Sequence, residues 1–371
     1  MGALMSDNYY TLKRVCEIYQ TDNIKQRITD LETSSTIPAA ERFRSGAIFQ
    51  KGWKSEDLSL IGKQVGFFNE IPRPIAMAIF TTKGGVLKST LALNLARISA
   101  LHGLKTCVVG LDIQGDITTA LGHETSEDDT KDMREIISKL NLIKGLPDLF
   151  NGQGRLHDLI VPTDLPELFL IPETPELVAM NDHLSNIHRR EYWLAEKVIT
   201  PLKEIFDVII MDCSPNWNKL TTNALVACDV LLSPLECKIN NFRNFKIFDH
   251  FLKEFKQDMG LNFKNIFIPT RFCHNKKLSM EIRDWYQKNV QGCTSSGIRE
   301  SVQGEEATAM HKSVLEHAPT STVSEDVRNL MIEVVNRLQN MQRDESDFVP
   351  ARRAVNKFTN RSCINSLHSF I

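Results

Sequence analysis

The chain has 371 residues, with 44 Lys+Arg against 46 Asp+Glu and a formal net charge of −2, enough length for two or three domains and a sizeable core. So neutral a chain cannot draw a polyanion through its global field, which excludes a wholly basic nucleic-acid binder and leaves DNA to be met by a local patch. Eight cysteines without a CxxC pair fit neither a zinc ribbon nor a disulfide scaffold, no apolar run reaches the ~18–20 residues of a membrane span, and Met1–Tyr10 carries no signal-peptide pattern, so a reduced, cytoplasmic chain without a membrane partner is expected.

In chain order, Leu12, Val15 and Tyr19 form a helical stripe behind a Thr11 cap. A second short helix begins at Asp22 or Asn23, with Ile24, Ile28 and Leu31 inward and Lys25, Gln26, Arg27 and Thr29 outward. Two short helices joined by a turn suit a helix-turn-helix, and Arg27 on the second helix is the candidate DNA contact. Arg42-Phe43-Arg44, Trp53 and the helical Asp57–Gly62 resemble the wing and following helix of MerR-like winged domains. Residues 1–73 hold ten Lys+Arg and nine Asp+Glu, too even a balance for strong nonspecific attraction, so operator DNA binding and a dimerisation or protein-interaction role both stand. Ile71-Pro72-Arg73-Pro74 reads as a linker between two independent cores, because each proline forbids a continuing helix.

After the linker, apolar runs at Ile75–Phe80, Thr106–Leu111, Leu168–Pro172, Val208–Met211, Val230–Pro234 and Ile266–Pro269 alternate with helical segments. Continuous apolar strands separated by helices indicate an α/β fold, a doubly wound and mainly parallel sheet covered on both faces. The expected organisation is a small, mainly helical winged domain over 1–73, a P-loop domain over 74–342, and a tail over 343–371. Val349–Ile371 carries four basic residues and no acid, and the tail is expected to be flexible.

The sharpest motif is Thr82-Lys83-Gly84-Gly85-Val86-Leu87-Lys88-Ser89-Thr90, between an apolar strand and a helix. A tight turn there aims successive N–H groups at one point, and the helix dipole adds positive potential, so phosphate oxygens collect. Gly84, Gly85, Val86, Leu87, Lys88, Ser89 and Thr90 are the expected binding residues, with Lys88 neutralising the β and γ phosphates and Ser89 ligating Mg²⁺. Leu87 departs from the general motif, which has glycine before the lysine. Two carboxylates complete the constellation: Asp112 in Val108-Val109-Gly110-Leu111-Asp112 and Asp212 in Phe206–Asp212, each ending an apolar strand, where ligands gather in doubly wound sheets.

With Lys83-Gly84-Gly85-Val86, Lys88-Ser89, Asp112-x-Gln114-Gly115 running on to Thr118–Gly122, and Asp212-Cys213-Ser214-Pro215, the chain resembles the deviant Walker ATPases of the ParA/MinD family. It is most similar to plasmid-type ParA partition ATPases with an N-terminal extension, and the resemblance spans about Pro74 to Leu338. It implies an ATP-sandwich homodimer with ATP and Mg²⁺ as cofactors, in which Lys83 reaches the partner's nucleotide, Asp112 orients or deprotonates the attacking water, Asp212 holds Mg²⁺ and Thr90 contacts the α-phosphate. Gly110 stands where many members carry an acid. The implied activity is DNA segregation: the ATP dimer binds nucleoid DNA nonspecifically and hydrolyses ATP when a ParB-like centromere-binding partner stimulates it. Arg271, Lys276, Lys277 and Arg299 are the candidate phosphate contacts. An ATP-switched repressor is the second reading. A MinD-like positioning ATPase is the third, and it needs an amphipathic C-terminal stripe that the tail lacks.

Overall fold

The computed structural model describes residues 9–45, 47–123 and 143–346. From residue 347 onward the expected tail lies outside the described residues; 343–346 close the helix Thr322–Ser346.

The N-terminal region runs β1 (Tyr9–Thr11), α1 (Leu12–Tyr19), α2 (Ile24–Thr33), β2 (Glu41–Ser45), β3 (Ile48–Lys54) and α3 (Leu58–Val65). Its three strands pair antiparallel in the order β1-β3-β2, so β2 and β3 form a wing behind two helices. Thr11 caps α1 by accepting from the Arg14 N–H at 3.3 Å, and Val15, Ile18, Tyr19 and Ile28 are fully buried. Trp53 is 2% exposed and donates its indole N–H to Pro38 O.

The second sheet has eight strands: β4 (Ile75–Ile79), β5 (Thr106–Leu111), β6 (Val161–Pro162), β7 (Leu168–Ile171), β8 (Val208–Cys213), β9 (Val230–Glu236), β10 (Lys264–Phe272) and β11 (Ile298–Arg299). All six apolar runs are strands of this sheet. Their order is β11-β10-β9-β4-β8-β5-β7-β6, parallel throughout except for the β6–β7 pair. Every residue of β4, β5, β8 and β9 is buried, which explains why these strands read as continuous apolar runs and not as alternating ones. Alternate residues feed two cores. Met77, Ile79, Val108 and Ile210 pack with α4 (Lys88–Leu101) and with the helix Thr322–Ser346. Ala78, Phe80, Val109 and Met211 pack with the helices Lys219–Ala227, Ile239–Met259 and Lys277–Asn289.

The expectation of two independent cores is corrected. Val15, Ile18, Tyr19, Leu58 and Ile61 belong to the same apolar cluster as Leu91, Leu95, Ile98 and Leu101 of α4. The Tyr19 hydroxyl lies 2.6 Å from Leu58 O and 2.9 Å from Leu101 O. A Cβ on Gly62 would fall 1.9 Å from Leu101 O, so glycine alone permits that approach. Arg14 donates to Glu316 O and His317 O at 2.7 and 2.5 Å, and Arg328 donates to Glu17 O at 3.1 Å. The proline-rich segment joins the two regions in sequence without separating them in space.

Candidate nucleotide-binding site

Strand register assembles the site. Ile79 of β4 pairs with Asp212 of β8, and Asp212 pairs in turn with Gly110 of β5. The phosphate loop after β4, Asp112 after β5 and Asp212 at the end of β8 therefore share one edge of the sheet, the carboxyl edge where ligands of doubly wound folds bind.

The loop is held from beneath. Ser233 Oγ donates to Phe80 O at 2.8 Å, Thr270 Oγ1 to Val86 O at 3.2 Å, and the Arg271 guanidinium to Gly85 O at 2.9 Å. A Cβ on Gly84 or Gly85 would meet nothing within 4 Å, so the backbone faces open space wide enough for phosphate oxygens. Gly85 has φ +70° and Leu87 has φ +73°. The left-handed conformation is costly for Leu87, which accounts for glycine at this position in the general motif. Lys88 opens α4 and is 7% exposed, its Nζ 3.5 Å from Lys83 O. Ser89 and Thr90 follow on the first turn, half-buried, and Lys83 is exposed.

Asp212 is fully buried and neither carboxylate oxygen has a hydrogen-bond partner. Burial pushes its carboxyl up to about 7, with Ser89 and Lys88 opposing and Asp112 and Asp116 adding to the rise. A buried carboxylate with two orphaned oxygens beside a serine hydroxyl fits a divalent cation, whose charge would replace the missing donors. Asp112 is 4% exposed. Burial raises its carboxyl, against the Gln114 N–H that it accepts at 3.3 Å and the charge of Lys88.

The sequence reading missed Glu173, which follows β7 and is buried. Its carboxylate accepts from the Asp112 N–H at 3.2 Å, the Thr118 N–H at 3.2 Å and the Thr118 hydroxyl at 3.1 Å. Burial first, then Asp212, pushes it up to about 8 against those three donors. An acid directly after the run Leu168–Pro172 was the available signal, the same one that singled out Asp112 and Asp212. Thr270 and Ser233, inside strand runs, offered none.

The expected DNA contacts divide. Arg271 is 2.6 Å from Glu300 as well as bonded to the loop, and Arg299 makes a two-pronged pair with Asp326 at 2.6 and 2.7 Å. Both arginines are thus paired within the chain, and Arg271 also holds the loop after β4. Lys276 and Lys277 are exposed at the start of the helix Lys277–Asn289, with Lys277 3.7 Å from Glu281. Arg27 is exposed and donates to Gln64 O at 2.9 Å. No helix among the described residues is long and apolar enough to cross a membrane.

A family model described as an AAA domain matches residues 75–265, which bracket the loop and both aspartates. The chromosome partitioning protein ParA of Myxococcus xanthus is 30% identical over 58% of this chain and 72% of its own length. The chromosome-partitioning ATPase Soj of Treponema pallidum is 32% identical over 42% of this chain, and there the match spans only 54% of the relative. Among solved structures, an ATP complex of a Cyanothece McdA variant shares the fold with a TM-score of 0.60 at 18% identity, covering 72% of this chain and 96% of that one. A structure described as "Partition Protein" matches with a TM-score of 0.57 at 15% identity over 90% of this chain and 93% of its own. With this match across the nucleotide site and this fold, the chain belongs to the ParA/MinD family of deviant Walker ATPases.

Proposed function

We propose that this protein is a Mg²⁺-dependent ATPase of DNA partition. The observation that carries the reading is the unpartnered Asp212 carboxylate, in register with the strand that feeds the phosphate loop. Gly84–Thr90 bind the phosphates of ATP, Lys88 offsets their charge, and Ser89 with Asp212 holds Mg²⁺. The cation supplies charge neutralisation on the transferring phosphoryl group. Asp112, beside the loop and held by its own backbone, orients the attacking water. A cleft lined by Leu87, Thr90, Ile298 and Ser301 adjoins the first turn of α4 and takes the remainder of the nucleotide.

Two copies close over the nucleotide. Support comes from an apolar hollow lined by Thr82, Trp217, Ile247 and Phe251 next to Lys83, in which Ile247 and Phe251 are more than half exposed. Exposed aromatic and aliphatic side chains at the mouth of a phosphate site suit burial against a second copy, and Lys83 then reaches the partner's phosphates. On DNA, Lys276 and Lys277 are the contacts the ATPase region offers. The wing, where Arg42 faces Lys51 across β2 and β3, together with Arg27 on α2, suits operator DNA. A ParB-like partner stimulates turnover, and the protein works on the nucleoid.

The test separates binding from chemistry. Asp112→Ala should bind Mg-ATP and accumulate as a long-lived dimer on size exclusion, while single-turnover hydrolysis falls ~10²-fold or more. Hydrolysis near the wild-type rate in a well-folded variant would remove Asp112 from the mechanism.

A further inference from the structure

Gly110 and Glu173 contend for one space. Gly110 lies on β5 two residues before Asp112, and Glu173 lies two residues past the end of β7, the strand paired with β5. A Cβ built on Gly110 would stand 2.2 Å from Glu173 Cγ and 2.7 Å from its Cδ. No side chain at 110 can coexist with Glu173 as it is placed, so the glycine leaves a slot that a carboxylate from the neighbouring strand fills.

That carboxylate is fully engaged. One oxygen accepts the Asp112 N–H and the other accepts both the N–H and the hydroxyl of Thr118, while the Glu173 N–H donates back to Thr118 Oγ1 at 2.9 Å. The two bonded positions are the two ends of the segment 112–118, which bears Asp112 at its start. A group tied to both ends of a short turn fixes its shape, and the side chain of Asp112 inherits that geometry.

We propose that Glu173 is a positioning residue for hydrolysis, a carboxylate lent by β7 to the slot vacated at Gly110, which clamps Asp112 and Thr118 in the arrangement that aims the attacking water. The inference rests on the ATPase reading. Its expected signature is a loss in kcat without a loss in nucleotide affinity, because Glu173 touches the segment of Asp112 and not the phosphate loop.

The experiment uses the full chain and two variants. Glu173→Gln keeps the size of the side chain but turns an NH₂ group toward one of the N–H donors, so one tether breaks. Its kcat should fall about 10-fold or more, the scale of a misplaced catalytic group, with KM for Mg-ATP within about twofold and an unchanged circular dichroism spectrum. The second variant, Gly110→Asp with Glu173→Ser, returns a carboxylate to the slot from β5 and should recover turnover relative to Glu173→Ser alone. Wild-type kcat in Glu173→Gln, a change confined to KM, or a double variant no faster than Glu173→Ser would overturn the proposal. A wild-type chain that binds no fluorescent ATP analogue would instead overturn the ATPase reading itself, so the two failures are distinguishable.

Discussion

The two ends of α4 do opposite work. At its N-terminus Lys88, Ser89 and Thr90 sit in polar, partly open surroundings around orphaned acceptors. At its C-terminus Ile98, Leu101 and His102 are sealed under the winged region by Tyr19, Phe67 and Phe68. A site that must receive charge keeps its acceptors unspent in polar surroundings, whereas a joint holds mainly through buried apolar and aromatic contact. Changes at the first end should therefore cost chemistry, and changes at the second should cost folding.

The largest expected effect would come from deleting residues 1–73. Deletion strips the cover from Leu101 and His102 and removes part of the shared apolar cluster, so the remaining chain should lose its cooperative melting transition and aggregate. A soluble, cooperatively folded ATPase from residues 74–371 would break the comparison and restore two independent cores. Next in size, Lys88→Ala should abolish tight ATP binding in titration calorimetry while leaving the melting temperature close to wild type. On the proposed function, lysine at that end serves the ligand and not the fold.

His102 sharpens the contrast through pH. It is 1% exposed, and its Nδ1–H donates to Ile98 O at 2.7 Å while Nε2 has no partner. Burial lowers it from 6.5 to about 4, so the folded chain holds it neutral. Between those values only the unfolded chain takes up the proton. Stability is thus complete above about pH 6.5 and falls as pH drops toward 4, by about 3 kcal/mol over that window. Denaturation midpoints should follow that slope in wild type, and His102→Gln should flatten it.

The smallest effect returns to the loop. Leu87 combines a left-handed backbone with a side chain packed on the core. Leu87→Gly loses packing but relieves ~1 kcal/mol or more of strain, whereas Leu87→Ala loses packing and keeps the strain. The glycine variant should melt at or above the alanine variant, the reverse of the order expected where the backbone is unstrained.

Much of this was legible in the residues. Buried parallel strands announce themselves as apolar runs, and all six runs named in the sequence became strands. β6 and β11, two residues each, carry too little pattern to be read. Acid after strand singled out Asp112 and Asp212, which the register brings to one edge of the sheet, and the same rule applied to Glu173 would have singled it out too. What composition cannot encode is pairing at a distance. Arg271 and Arg299 were read by charge alone, while their partners Glu300 and Asp326 depend on how the chain returns. The stripe Leu12, Val15, Tyr19 announced a buried face without saying that α4 would be what buries it.

The length of α4 acquires a meaning from this arrangement. Each residue turns a helix by about 100°, so its fourteen residues, Lys88 to Leu101, set the angular phase between the phosphate-facing ammonium and the carbonyl that meets Tyr19. Inserting one residue mid-helix would swing Leu101 O from the Tyr19 hydroxyl and Gly62, whereas a change of whole turns would preserve the phase but displace the winged region along the axis. The helix is thus a ruler and a protractor at once.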